Sequence, residues 1–125
     1  MTKRATHRTG YTLIEIMIVV AIIGVLAVIV IPGLIKSRKQ SQGRRIINDA
    51  RQLDGAINAW VIEKGKADGD SVNTSEAATY LKTAWTSADV LGNDYVINDV
   101  GTNQLQISPA TKSALANVGI DWGAY

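Results

Sequence analysis

The chain has 125 residues, no cysteine, a single histidine and a formal charge of +2, which is the size of one folding unit. The lack of thiols excludes disulfide frameworks, cysteine metal sites and thiol nucleophiles. One imidazole, His7, leaves hydrolytic triads and catalytic zinc without their usual groups, so the sequence reads as that of a non-enzyme.

The first ten residues carry Lys3, Arg4 and Arg8; without them 10 basic residues face 11 acidic ones. From Ile16 to Ile35 the chain runs for 20 residues without a charge, and ~20 apolar residues are what a helix needs to cross a bilayer core. A secretory signal peptide has a shorter apolar region, ~7 to 15 residues, ending in a small-x-small cleavage site, and no clean site of that kind follows. An ordinary anchor is the other bland reading. Lys36, Arg38, Lys39, Arg44 and Arg45 outnumber the three cations before the segment, so a positive-inside count taken alone places the C-terminus in the cytoplasm. Glu15 stands at the N-terminal edge of the apolar run. A carboxylate there is either an interfacial group favoured by the helix dipole or one that needs a cationic partner.

The stretch Gly10-Tyr11-Thr12-Leu13-Ile14-Glu15-Ile16-Met17 resembles the cleavage and methylation signature of type IV prepilins and type II secretion pseudopilins. The resemblance implies that a prepilin peptidase cuts after Gly10 and that Tyr11 becomes the N-methylated first residue. The family more often has Phe or Met at that place. Glu15 then falls at the fifth mature position, where the family keeps a glutamate, and the resemblance implies that it meets the N-terminal amine of a neighbour during assembly. Two opposite charges in a low-dielectric zone attract strongly while each alone is penalised. The same resemblance overrules the positive-inside count: it implies a single-pass protein of the bacterial inner membrane with an extracytoplasmic C-terminus, which then enters a periplasmic or surface filament. Prepilin peptidase, an inner-membrane assembly platform and other pilin-like subunits are the implied partners.

Pro32, followed by Gly33, occupies the twenty-second mature position, where filament proteins of this family commonly carry a proline. It lacks the N–H that would bond the Val28 carbonyl, so the helix is expected to kink or loosen over residues 28–32. Beyond it, Ile46, Ala50, Leu53, Ile57 and Trp60 follow at helical spacing, and Ile47 and Val61 widen the stripe. This predicts an amphipathic helix that ends near Lys64, with Gly65 as its C-terminal cap. Asn73 and Glu76 have the spacing of a capping box and predict a short helix through Leu81. Alternation over 94–100 and 104–107 around Gly101-Thr102-Asn103 predicts a β-hairpin. Ser108-Pro109 opens a further short helix to about Asn117.

The predicted fold is α+β: a long N-terminal helix, half transmembrane and half amphipathic, packed on a small head. Its organisation is a leader over 1–10, a transmembrane and assembly helix over 11–35, a stem over 36–65 and a head over 66–125, which is too small to bury a good core without the stem. Residues 36–51 carry +5 and residues 52–125 carry −5, so charge is polarised along the chain. No aromatic residue interrupts the basic stretch between Lys36 and Arg51. Lipid headgroups or acidic neighbours explain its cations as well as phosphate binding does, and no nucleic-acid partner is expected.

Asp89-Val90-Leu91-Gly92-Asn93-Asp94-Tyr95 resembles the Asp-x-x-Gly-Asn-x-Tyr segment of major pseudopilins, which bind calcium in the loop that follows. A Gly-Asn turn leading into a strand explains the same residues without a function. Asp89, Asp94, Asn98, Asp99 and Asn103 are oxygen donors of the type calcium takes, but they have no fixed ligand spacing. No cofactor is expected, with calcium at Asp89, Asp94 and Asp99 as the single candidate. The two functional expectations are a secretion pseudopilin that forms a periplasmic pseudopilus for protein export, and a type IV pilus subunit for adhesion, motility or DNA uptake. The missing C-terminal disulfide loop and the Asp89–Tyr95 segment favour the first.

Overall fold

The computed structural model describes residues 10–125; the leader residues before Gly10, with His7 and the cations Lys3, Arg4 and Arg8, lie outside the described residues. Helix α1 runs from Leu13 to Lys64 and contains Pro32. It closes as the sequence predicts. Gly65 adopts a left-handed φ of 62°, and Lys66 N–H donates to the Val61 carbonyl at 3.0 Å. That six-to-one bond across a left-handed glycine satisfies one of the last orphan carbonyls of the helix.

The chain forms two compact units, one ending at Ile35 and the other covering Lys36–Tyr125. In the first, the described residues from Leu13 onward are helical. Ile16, Val19, Ile23, Val28, Ile31 and Ile35 are all exposed. A helix is the backbone form in which such a segment meets its own hydrogen-bonding needs, and that is the requirement hydrocarbon imposes.

The second unit holds the rest of α1 and the following elements in chain order: α2 (Thr74–Ala77), a 3-10 turn (Ala78–Tyr80), β1 (Val96–Ile97), β2 (Leu105–Gln106) and α3 (Pro109–Ala114). Its core is the predicted stripe. Ile46, Ala50, Leu53, Ile57 and Trp60 from α1 pack with Ala77, Tyr95, Val100, Leu105, Ile107, Leu115 and Val118. Each large aliphatic or aromatic side chain buried in this way contributes about 1.5–3 kcal/mol. Trp60 also places its polar edge: the indole N–H donates to Glu76 Oε2 at 2.7 Å. The other oxygen of that carboxylate accepts from Asn73 Nδ2 at 3.0 Å, while Asn73 Oδ1 caps the start of α2. One carboxylate thus joins the cap of a short helix to the core of the long one.

The hairpin exists, but its strands are shorter than the alternation predicts. Val96 pairs with Gln106 and Ile97 with Leu105 in an antiparallel ladder, and Asn98 N–H adds a bond to the Gln104 carbonyl at 2.9 Å. Val100 then leaves the ladder. Its N–H donates to the Asp70 carbonyl at 2.8 Å and its carbonyl accepts from Gly69 N–H at 2.9 Å, so backbone groups that would extend β1 pair with the loop after α1. Helix α2 gives way to the 3-10 turn at Ala78, and α3 ends at Ala114, before Asn117 takes a left-handed φ of 64°. Asparagine tolerates that conformation better than other residues with a β-carbon.

The C-terminal segment lies along the stem. Gln40 Nε2 donates to the Val118 carbonyl at 2.7 Å. A β-carbon at Gly43 would meet Ile120 Cδ1 at 2.2 Å. Tyr125 reaches Asp54 Oδ2 through its hydroxyl at 3.4 Å.

Candidate functional site

The first turn of α1 is closed by its own side chains. Glu15 Oε2 accepts from the Thr12 N–H at 2.7 Å and from the Thr12 hydroxyl at 3.0 Å, and the hydroxyl oxygen accepts in turn from the Glu15 N–H at 3.3 Å. This is a reciprocal capping box with Thr12 as N-cap and Glu15 three residues into the helix. Two orphan donors of the helix start are satisfied, and the negative charge sits where the helix dipole favours it. Glu15 Oε1 accepts no hydrogen bond among the described residues. Thr12 thus holds the carboxylate through one oxygen, and among the described residues the other is unpaired.

Among the described residues, the surface around it is open. Tyr11 is 85% exposed, and a β-carbon on Gly10 would meet no atom within 4 Å. Packing among the described residues therefore gives no reason for a glycine at position 10. A groove of about 330 Å³ borders Ile18, Ala21, Ile22, Val25 and Leu26, and one of about 530 Å³ borders Tyr11, Glu15, Ile16, Ile18 and Val19. Tyr11 and Glu15 thus border one shallow apolar concavity at the start of α1. Pro32 and Gly33 lie inside α1, and Gly33 has no neighbour within 4 Å of a β-carbon.

The Asp89 segment is a closed loop. Asp89 Oδ1 accepts from Leu91 N–H at 2.8 Å and Asn93 N–H at 3.1 Å, and Oδ2 accepts from the hydroxyl of Thr111. Asn93 Nδ2 donates to the same hydroxyl at 3.0 Å. Thr111 is fully buried and Asp89 nearly so, while Gly92 supplies the positive φ of 84° that the turn requires. The aspartate therefore ties the loop to α3. Asp94 and Asp99 are exposed, and among the described residues no three His, Cys, Asp or Glu side chains converge as metal ligands.

Sequence reasoning passed over Thr12. The signal was available, since Thr-x-x-Glu before an apolar run is a capping-box pattern. It was masked because the same residues also carry the processing signature. Gln104 had no comparable signal: its Nε2 bonds Asp54 Oδ1 and Asn58 Oδ1, both at 2.8 Å, and only the packed fold brings them together.

The model of the prokaryotic N-terminal methylation motif matches residues 6–31. The chain is 30% identical over 112 residues to the type II secretion system core protein G of Escherichia coli K12, a match covering 78% of this chain and 77% of that protein. It is 32% identical over 60 residues to the core protein G of Klebsiella pneumoniae, covering 48% of this chain and 43% of that protein. A type IV major fimbrial protein FimA of Dichelobacter nodosus is 33% identical over 115 residues, covering 86% of this chain and 67% of that protein. No solved structure gives a significant match.

Proposed function

This chain belongs to the family of type IV pilin-like proteins that includes the type II secretion pseudopilins, and on that premise we propose that it is a filament subunit of a secretion pseudopilus. The observation that carries the proposal is the match to core protein G across about three quarters of both chains, with the methylation motif at its start. The role is structural: the subunit acts by packing against copies of itself and of related subunits, not by catalysis.

In this reading the peptidase removes residues 1–10 and methylates Tyr11. The open surface at Gly10 and the exposure of Tyr11 fit a backbone that another protein must enter. The residues after Ile16 anchor the subunit in the inner membrane with residues 36–125 outside the cytoplasm. The new amine of a neighbour then meets Glu15 in the apolar concavity beside Tyr11. Thr12 holds the carboxylate in place for this encounter, and Oε1 is the oxygen left to receive the amine. Pro32 interrupts the hydrogen bond to the Val28 carbonyl and gives the segment a place to loosen as it leaves lipid for the filament.

The intact mass of the membrane-extracted protein tests the processing. It should lack residues 1–10 and carry one added methyl group; an unprocessed chain, or one that begins elsewhere, overturns the assignment of Tyr11 and Glu15. The FimA match supports a second reading, a surface type IV pilus. Deleting the gene separates the two: secreted proteins retained inside the cell support the pseudopilus, and loss of surface fibres with normal secretion supports the pilus.

A further inference from the structure

We propose that the basic collar of α1, beginning with Lys36, Arg38 and Lys39, is a docking surface for anionic phospholipid headgroups. Lys36, Arg38, Arg44, Arg45 and Arg51 are exposed and Lys39 is half-buried. Among the described residues the single ion pair is Arg45 with Asp49, at 3.9 Å and on a largely open side chain, so intramolecular pairing leaves the collar almost unneutralised. The cations are also ordered. Arg38 and Arg45, and likewise Arg44 and Arg51, are seven residues apart, so each pair shares a face after two turns. Both rows lie away from the buried stripe of Gly43, Ile46, Ala50 and Leu53.

Position along the helix selects the partner. The headgroup layer adds roughly 5–8 Å on each side of the hydrocarbon core, and a helix rises about 1.5 Å per residue. Lys36, Arg38 and Lys39 follow the last apolar residue, Ile35, by one to four residues, which keeps them within that layer when residues 16–35 span the membrane. Arg44 and Arg45 stand further out, about a screening length from the headgroups. The other source of negative charge is the acidic 52–125 region of a second copy. In a copy inserted to the same depth, the carboxylates of α1 beyond the collar, Asp49, Asp54 and Glu63, lie ten or more residues past Lys39. Lipid phosphate is the anion at the level of the first three cations.

This inference rests on the membrane reading of residues 16–35 and is independent of filament assembly. Because the chain has no cysteine, Ser41→Cys offers a single labelling site on the exposed side of the collar. The labelled full chain, reconstituted in phosphatidylcholine vesicles, is titrated with spin-labelled phosphatidylglycerol or spin-labelled phosphatidylcholine as quencher. The expected result is a preference for the anionic quencher on the order of five-fold, the weight of one cation at an anionic surface. The preference should be lost in the K36Q/R38Q/K39Q variant and at high salt, with helical circular dichroism unchanged. Equal quenching by both lipids overturns the proposal. So does a label environment that follows protein density rather than lipid charge, which would give the collar to a second copy. Failure of the chain to float with the vesicles would instead defeat the membrane reading itself.

Discussion

Helix α1 carries two unlike regions, one on either side of Ile35. Over residues 13–35 its structure is local: a capping box at Thr12 and Glu15 starts the helix, and the apolar side chains that follow are exposed. Over residues 43–60 the same helix is held by packing, with Ile46, Ile57 and Trp60 almost wholly removed from solvent. The isoleucines and valines of the first region are exposed, and the proposed function assigns them to lipid and other subunits, whereas the buried side chains of the second have their partners within the chain. Substitutions in the first region should therefore change assembly without changing the fold of residues 36–125, and substitutions in the second should do the reverse.

The largest effect is expected at Glu15. Glu15→Ala removes the partner of Thr12 and, in the proposed function, the carboxylate that receives a neighbour's amine. Filament incorporation should be abolished, while membrane insertion, cleavage after Gly10 and the thermal unfolding of residues 36–125 stay as in the parent. Filaments of normal abundance from this variant would show that the open carboxylate is only a helix cap. Loss of the cap by itself costs about 1 kcal/mol at the helix start, too little to prevent insertion.

A pair of identical substitutions sharpens the contrast within the packed region. Gly43 is buried, and a β-carbon there would meet Ile120 Cδ1 at 2.2 Å and Cγ1 at 3.0 Å. Gly55 is exposed, with nothing within 4 Å. Alanine is favoured over glycine in a helix by about 1 kcal/mol. Gly55→Ala should therefore stabilise by roughly that amount. At Gly43 two atoms of Ile120 must move, and the overpacking offsets the gain, so Gly43→Ala should stabilise less than Gly55→Ala in denaturant melts. Equal shifts of the same sign would mean that the C-terminal segment does not rest on the stem.

The same division explains what was legible in the sequence. Features set by neighbours along the chain were readable: the end of α1 at Lys64 with Gly65 beyond it, Asn73 as a cap, Ser108-Pro109 at the start of α3, and the stripe from Ile46 to Trp60. The Thr12–Glu15 box was equally local, though Thr12 was read only as part of the processing signature and Glu15 for the helix dipole and for assembly. Features set by distant backbone were not readable. Nothing in the alternating run to Val100 announces that its N–H will turn to Asp70, and so the strands looked longer than they are. Asp89 looked like a free oxygen donor because Thr111, 22 residues on, completes its hydrogen bonds only after folding. At the helix start the motif and the spacing of Glu15 were plain, but the orientation that Thr12 imposes on the carboxylate needed the geometry.

The smallest effect is expected at Tyr95, where packing and polarity conflict. The ring belongs to the core, with the residue 7% exposed, yet the hydroxyl is buried without a hydrogen-bond partner among the described residues. Burial, reinforced by the negative charges of Asp49 and Asp89, pushes the phenol up to about 12, against about 10 for an unfolded tyrosine. Between those values the unfolded chain releases a proton that the folded one keeps. Stability is therefore full below about pH 10 and falls as pH rises, by on the order of 1 kcal/mol per unit. Tyr95→Phe removes both the orphaned hydroxyl and the titration. It should raise stability at neutral pH by about 1 kcal/mol and flatten the alkaline decline, measured as denaturation midpoints from pH 8 to 11.5. A destabilised variant with the parent's pH profile would show that the hydroxyl has a partner in solution and that a different group titrates.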